Sequence, residues 1–309
     1  MKKLGFIALF GICVLLMASC SADKRQPEAT AAEKSWVSSD RSIHTAKTFL
    51  PAVPDGAKDD AVITRRIMID EVPVIELYRA DSRLAPVLFF LHDNESSKEQ
   101  FVDEAAMYAQ SGFLCVLFDM KGYGERASAE AVESIESAVQ ATADIDLLLE
   151  YYRLSPFADT DRFVIYGISM GGSAAWHYAA FGERTPTALI ACSAAADYSA
   201  LSDLGAVKNG KSQQPVWDEK RFMEYCISNN PIDHIEKLIQ IPALVYQGMQ
   251  DRTIPPETTQ ALERLLTSSG AQNNGFIYDD NGGHTVTIAF LNRILPFIKQ
   301  YVKLSDSAL

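Results

Sequence analysis

The most informative stretch of this 309-residue sequence reads Phe163-Val164-Ile165-Tyr166-Gly167-Ile168-Ser169-Met170-Gly171-Gly172-Ser173-Ala174-Ala175-Trp176. Its first half is a short apolar run that predicts a buried strand, and its second half begins a helical pattern. Between them stands Gly-x-Ser-x-Gly, centred on Ser169. Between a strand and a helix, this motif holds its serine on a strained turn above the sheet, and the glycines leave room for close packing. Ser169 is therefore the candidate nucleophile.

The rest of the chain alternates strand and helix patterns around this stretch. An antiparallel hairpin is predicted at residues 64–69 and 74–80. Short apolar runs typical of buried parallel strands lie at 87–91, 113–118, 163–168, 188–192, 243–247 and 275–278. Helical patterns lie at 98–110, 131–153, 171–181, 256–268 and 285–302. Such alternation predicts an α/β fold with a mostly parallel central sheet and helices on both faces.

One interval, at about residues 194–240, interrupts the alternation. It contains a helical pattern near residues 217–229 that includes Trp217, Phe222 and Tyr225. Large apolar side chains are not needed in an exposed loop, so we expect a small cap over the carboxyl ends of the strands. A long surface loop carrying one helix is the alternative.

A serine hydroxyl becomes a useful nucleophile only when a base accepts its proton. His284 is the candidate base, because Asn281-Gly282-Gly283-His284 follows the last predicted strand and leads towards the last helix. His92 ends an earlier strand and fits a loop role better. His177 is expected to serve packing or to lie at the surface, and His234 to be a loop or helix-start residue. His44 lies in the predicted tether.

The imidazole needs a carboxylate that fixes its tautomer and stabilises its charged form. Asp251 is the candidate, since it follows the buried strand at residues 243–247 and the glycine at position 248. That position is at the same edge of the sheet as Ser169. Asp279 and Asp280 are rivals, although Asp279-Asp280-Asn281-Gly282 is also typical of a simple turn.

With these residues in place, residues 64–302 resemble an α/β-hydrolase, whose members carry nucleophile, acid and base in the order Ser169, Asp251, His284. Leu91-His92-Asp93-Asn94 resembles the family's His-Gly oxyanion loop, and Asp119-Met120-Lys121-Gly122-Tyr123-Gly124-Glu125 is similar to its Asp-x-Arg-Gly-x-Gly turn. The segment from Ile241-Pro242 to Asp251 resembles the acid-bearing one. The pattern is most similar to small esterases, dienelactone-hydrolase-like proteins and stand-alone relatives of the prolyl oligopeptidase catalytic domain.

The resemblance implies a serine hydrolase that cleaves a small-molecule carboxylic ester through an acyl-enzyme, with the backbone N–H groups of Met170 and Asn94 as oxyanion donors. Asp93 departs from the family, which usually has glycine there, and we expect its carboxylate to be directed away from the nucleophile. The alternatives are a serine peptidase of prolyl oligopeptidase type and a non-catalytic binding lipoprotein of the cell envelope.

Composition excludes several other classes of function. The formal net charge is −12, from 28 basic and 40 acidic residues, which argues against a nucleic-acid partner. No metal-ligand spacing and no phosphate-cradling glycine motif are present, so no metal or cofactor is expected. Cys115, Cys192 and Cys226 lie in apolar or helical runs and are expected to be buried thiols. Oligomeric state is left open.

The N-terminus predicts export. Lys2 and Lys3 precede an apolar run that ends at Leu16-Met17-Ala18-Ser19-Cys20, which resembles a bacterial lipobox. We therefore expect a lipoprotein signal peptide at residues 1–19, lipidation of Cys20, a flexible tether at 20–60 and the hydrolase domain at 61–309. Lipid at Cys20 would anchor the protein to a membrane of the bacterial envelope, on a periplasmic or outer-membrane face. An ordinary signal peptide is the alternative.

Overall fold

A computed structural model describes residues 61–128, 132–203 and 217–304. The signal peptide, Cys20, the tether and His44 lie outside these residues and stay predictions. Among the helices of the described ranges, none is both long and apolar enough to cross a membrane.

A single mixed sheet of eight strands organises the described residues. The strands are β1 (Val62–Ile69), β2 (Val72–Arg79), β3 (Ala85–Leu91), β4 (Leu114–Phe118), β5 (Ala158–Ile168), β6 (Ala188–Cys192), β7 (Ala243–Gly248) and β8 (Asn274–Asp279). Their order across the sheet is β1-β2-β4-β3-β5-β6-β7-β8. Strand β2 pairs antiparallel with β1 and β4, and all other neighbours are parallel. The predicted α/β class is confirmed.

Helices cover both faces of the sheet. They are α1 (Val102–Gln110), α2 (Ser134–Arg153), α3 (Met170–Phe181), α4 (Ser199–Asp203), α5 (Glu219–Ser228), α6 (Ile235–Leu238), α7 (Pro256–Ser268) and α8 (Ile288–Tyr301). Buried residues of α2, α3 and α7 share one core with the sheet, and those of α1 and α8 share the other. Strand β3 shows why the central strands are almost wholly apolar. Phe89 faces the first core and its neighbours Leu88 and Phe90 face the second, so no side chain of this strand meets water.

Most predicted elements begin and end within three residues of the observed ones, and two differ more. The predicted helix at 98–110 is a 3₁₀ turn, Lys98–Phe101, followed by α1. The turn is tight because the backbone N–H and the ammonium of Lys98 both donate to the carboxylate of Asp119, at 2.9 and 2.6 Å. Strand β5 begins earlier than expected, because Ala158 pairs with Ala85 at the start of β3. The first residues of β5 are mostly polar, so apolar periodicity alone does not predict that they form a strand.

The interval at 194–240 contains three of the helices. Helix α5 buries Phe222 and Cys226 against Ile135 of α2 and Tyr198, in a cluster separate from the two cores of the sheet. The side chain of Asp218 accepts a hydrogen bond from the backbone N–H of Arg221 at 2.9 Å and so caps α5. We call α4 and α5 the cap helices. Residues 204–216, in the middle of the predicted cap, lie outside the described ranges, so the cap stays a prediction.

A mostly buried carboxyl group lies between α1 and the sheet. Burial raises the pKa of Glu104 from 4.5 to about 7, against the opposing effect of the Tyr108 hydroxyl, which donates to Oε1 at 3.4 Å. Two buried thiols, Cys115 and Cys192, lie close enough to interact with Glu104 electrostatically. The folded protein therefore binds this proton more tightly than the unfolded chain does.

We predict that Glu104→Gln raises the free energy of unfolding by about 1–3 kcal/mol at pH 8, with little effect near pH 4.5. The sign follows from the raised pKa: the unfolded chain loses the proton above about 4.5 and the folded protein only near 7, so parent stability falls across that interval. Denaturant unfolding between pH 4 and pH 8.5 measures this difference. The control is Asp103→Asn, at the exposed neighbour on the same helix. A parent and a Glu104→Gln variant with parallel pH dependence would contradict the expectation.

Candidate active site

Ser169 occupies the turn between β5 and α3. Its φ is 54° and its ψ is −117°, which is a strained conformation for a residue with a Cβ. The backbone N–H of Ser169 donates to the carbonyl of Cys192 at 2.8 Å, and its carbonyl accepts from Ser173 at 2.9 Å. A Cβ on Gly171 would lie 2.0 Å from the carbonyl oxygen of Leu91, so only glycine allows this approach. The turn is therefore held between β3, β6 and α3.

His284 lies between Ser169 and Asp251. Its Nε2 is 2.8 Å from Ser169 Oγ, and its Nδ1 is 2.7 Å from Asp251 Oδ2. The loop that carries it follows β8 and is tied to the loop after β7, because the backbone N–H of Gln250 donates to the carbonyl of Gly282 at 2.8 Å. The structure thus brings together the three residues that the sequence singled out.

The side chain of Asp251 is fully buried. Burial acts to raise its pKa, but hydrogen bonds from His284 and from the backbone N–H groups of Ile254 and Thr253 outweigh burial and lower the pKa. The two N–H groups donate to Oδ1 at 3.0 and 2.8 Å. Asp251 is therefore an ionised acceptor that favours a proton on Nδ1 of His284, leaving Nε2 free to accept from the serine hydroxyl.

Gln247, which was not predicted from the sequence, stabilises the position of Asp251. Its buried amide nitrogen donates to Ile254 O at 3.0 Å and to Asp251 Oδ2 at 3.3 Å. Its amide oxygen accepts from the hydroxyl of Thr259 at 2.8 Å. A glutamine in an otherwise apolar strand, four residues before a candidate acid, was the available signal.

Asp279 and Asp280, the rival acids, do not contact His284 in the described structure. Asp279 instead accepts from the Tyr246 hydroxyl at 3.1 Å and from the backbone N–H of Asn281 at 3.0 Å, as expected of a turn residue. Asp280 is exposed.

His92 and His177 make hydrogen bonds with other groups. His92 is fully buried and accepts from the backbone N–H of Met120 through Nε2 at 3.0 Å, so its Nδ1–H donates to Asp93 O at 2.8 Å. His177 pairs with the Thr142 hydroxyl at 2.6 Å and stacks on Phe181. Burial lowers the pKa of both His92 and His177.

The loop after β3 is fixed from two sides next to Ser169. Gln100 binds Asp93 twice: its Oε1 accepts the backbone N–H at 3.0 Å and its Nε2 donates to Oδ2 at 2.9 Å. The Tyr123 hydroxyl donates to the side-chain oxygen of Asn94. The expectation that Asp93 is directed away from the nucleophile fits its bond to Gln100, although Asp93 lines the same cavity as Ser169. Gln100 was also missed, because nothing in its local pattern marks it, and the motif that contains Tyr123 did not indicate its contact with Asn94.

An almost wholly buried ion pair anchors the Tyr123 turn. Asp119 accepts from the ammonium of Lys98 and, at 2.9 Å, from the backbone N–H of Glu125, whose carboxylate in turn accepts from Lys98 at 2.5 Å. Burial acts to lower the pKa of Lys98, but its hydrogen bonds to Asp119 and Glu125 and the nearby charge of Glu99 outweigh burial and raise the pKa. The turn and the loop after β3 therefore share one fixed support.

A cavity of about 260 Å³ opens over Ser169 and His284. One part of its wall is polar and comes from the loop after β3, with Asp93, Asn94 and Glu95. Another part is apolar and includes Ile135 of α2, Leu201 of α4 and Phe222 of α5. Within the described ranges, no group of three or more histidine, cysteine or acidic side chains is placed to hold a metal ion.

Comparison with known proteins assigns the chain to a family. The model of the prolyl oligopeptidase family, Peptidase_S9, matches residues 99–305, which is well over half of the chain. The chain belongs to the prolyl oligopeptidase family. As a member of that family with esterase relatives, it is a serine hydrolase of the esterase or peptidase type.

Two relatives with esterase names each match about three quarters of this chain. YitV of Bacillus subtilis (strain 168) is 23% identical over 76% of this chain and 97% of its own length. The esterase YjfP of Escherichia coli (strain K12) is 21% identical over 75% of this chain and 96% of its own.

Solved structures show the same fold at low identity. Acetyl xylan esterase 1 from Thermoanaerobacterium sp. JW/SL YS485 matches with a TM-score of 0.59 and 16% identity, over 80% of this chain and 86% of that one. The acylaminoacyl peptidase of Pyrococcus horikoshii matches with a TM-score of 0.62 and 18% identity, over 82% of this chain and 43% of that one. These matches confirm the α/β-hydrolase fold.

We predict that Gly248→Ala destabilises the protein by about 1–3 kcal/mol, because a Cβ at position 248 would lie 2.2 Å from the carbonyl oxygen of Gly283, next to His284. Such a loss lowers the thermal midpoint by several degrees. Gly283→Ala is the matched control: its Cβ would meet nothing within 4 Å, so its midpoint should stay close to that of the parent. Equal midpoints for the two variants would contradict the predicted collision.

Proposed function

We propose that this protein hydrolyses carboxylic esters through Ser169 as nucleophile, His284 as general base and acid, and Asp251 as the carboxylate partner of His284. The observation that carries the proposal is the continuous chain from Ser169 Oγ to His284 Nε2 at 2.8 Å and from His284 Nδ1 to Asp251 Oδ2 at 2.7 Å. Side chains connected at these distances can transfer the proton of the serine hydroxyl to the imidazole as the serine oxygen attacks.

In the first half of the reaction, Ser169 Oγ attacks the acyl carbon while Nε2 of His284 takes the hydroxyl proton. The imidazolium that forms is stabilised by Asp251, which stays ionised. His284 then gives the proton to the leaving alcohol, and an acyl-enzyme remains. In the second half, water gives its proton to His284, attacks the acyl carbon and releases the acid as the proton returns to Ser169.

The negative charge that develops on the carbonyl oxygen needs preorganised donors. We assign this role to the backbone N–H of Met170, the first residue of α3, and to that of Asn94. The start of α3 also places the positive end of its dipole at this point. The bond from Gln100 to Asp93 supports the assignment, because it engages the carboxylate of the residue just before Asn94 with an amide.

Esters are favoured over peptides by the extent of the matches. YjfP, named an esterase, is matched along 96% of its length, and the acetyl xylan esterase along 86%. The acylaminoacyl peptidase is matched along only 43% of its chain, so much of that enzyme has no counterpart in the match. A peptidase activity is the alternative from the same family, and a non-catalytic binding protein is the alternative outside enzymes.

We predict that Ser169→Ala lowers the hydrolysis of p-nitrophenyl acetate by at least about three orders of magnitude, with unchanged thermal unfolding, since the attacking oxygen is lost. A fluorophosphonate probe should label the parent and not the variant. Ser111→Ala is the control, because its hydroxyl only donates to the Met107 carbonyl at the end of α1. A panel of aminoacyl p-nitroanilides tested beside the ester distinguishes peptidase from esterase. A parent that neither binds the probe nor cleaves any of these substrates would leave the non-catalytic alternative.

We also predict that Tyr123→Phe lowers kcat about tenfold and leaves KM within about twofold. Its hydroxyl holds the side chain of Asn94, whose N–H is the proposed donor, and loss of a donor itself costs about 100- to 1,000-fold. Tyr278→Phe is the matched control, because it removes a similar bond, to Glu263 at 2.7 Å, on the edge strand β8 and outside the loop that carries Asn94. A rise in KM with unchanged kcat would contradict this positioning role.

A further inference from the structure

The apolar part of the cavity wall is built by elements that do not carry the reacting groups. Ile135 and Ala138 come from the start of α2, Leu201 from α4 and Phe222 from α5. Phe222 is only 7% exposed although it lines the cavity, so most of its ring contacts protein. Its surroundings are the small cluster with Ile135, Tyr198, Trp217 and Cys226.

Helix α5 is fixed at its first turn, and this gives Phe222 a defined position. The backbone N–H of Trp217 donates to the buried carboxylate of Glu133 at 3.0 Å. The guanidinium of Arg221 lies over the Trp217 ring, 4.4 Å from its centre, and the Tyr225 ring meets the same indole at 4.8 Å. Together with the Asp218 cap, these contacts hold the helix from both sides of Phe222. The Phe222 ring is therefore a rigid part of the cavity wall.

The size of the cavity limits what can lie beside Ser169. Sites for drug-sized ligands span about 300–1,000 Å³, and this cavity has about 260 Å³. An apolar wall in such a space favours a short hydrocarbon group. Each methylene group of a substrate that fits or fails to fit the cavity changes kcat/KM by about tenfold or more.

On the basis of the function proposed above, we propose that the site selects esters with a short apolar substituent, and that Phe222 sets the length that is accepted. The substituent is either the acyl chain or the alkyl chain of the alcohol. Both have the same chemistry, and a pair of substrate series tells them apart.

The experiment measures kcat/KM for p-nitrophenyl esters from acetate to decanoate, and for acetate esters of ethanol to decanol. In the parent, we expect kcat/KM to fall steeply beyond a short chain in one of the two series. Phe222→Ala should raise the octanoate-to-acetate ratio, or the octyl-to-ethyl ratio, about tenfold or more. Phe222→Leu, which removes less volume, should give a smaller shift in the same direction and keeps the proposal testable if the alanine variant does not fold.

The matched control is Met223→Ala, the next residue on α5, which is 40% exposed and lies outside this cavity. It should leave both chain-length profiles unchanged. Unchanged profiles in folded Phe222 variants would overturn the role of Phe222, and a parent that cleaves long and short chains of both series equally would overturn the size limit. Either result can occur while Ser169→Ala still abolishes hydrolysis, so it leaves the proposed function standing.

Discussion

The imidazole of His284 is held by one hydrogen bond on each of its nitrogens, and the chemistry proposed for the site depends on that placement. Ser169, Asp251 and His284 are far apart in the chain and meet because β5, β7 and β8 end at the same edge of the sheet. The parallel pairing of Gly248 with Asp279 places the last two loops side by side. A shift of one residue in that register would move the side chains of β8 to the opposite face of the sheet.

Buried polar groups keep these loops in place, and each is matched by partners. Gln247 is fully buried: its amide nitrogen donates to the loop that carries Asp251, and its amide oxygen accepts from Thr259 of α7. Lys98 and Asp119 are buried almost as completely, and they connect the loop after β3 to the Tyr123 turn. Removing one partner of a buried ion pair typically costs about 3–5 kcal/mol, because the other charge is left unpaired. Such groups therefore fix loop geometry, which an apolar core does not specify.

The sequence predicted those features that depend on pattern and chain order. The strand before Ser169, the hairpin at the start and the loops that carry Asp251 and His284 all follow from apolar periodicity and glycine positions. It did not predict the first residues of β5, whose polar sequence becomes strand only by pairing with Ala85 and Pro86. Nor did it predict Gln100 or Tyr123, because their importance comes from contacts with residues distant in the sequence.

Asp93 shows how a departure from the family pattern can be accommodated. A carboxylate next to a developing oxyanion would oppose catalysis, yet Gln100 donates an amide N–H to it and also accepts the backbone N–H of the same residue. Burial raises the pKa of Asp93, although Gln100 and the neighbouring rings of His92 and His284 act in the other direction. The charged form of Asp93 is thus less favoured, and its carboxylate is bound by the amide of Gln100, which takes no part in the proposed reaction. The same two bonds hold the backbone that leads to Asn94, so the residue that threatens the proposed oxyanion site is also the one through which its loop is fixed.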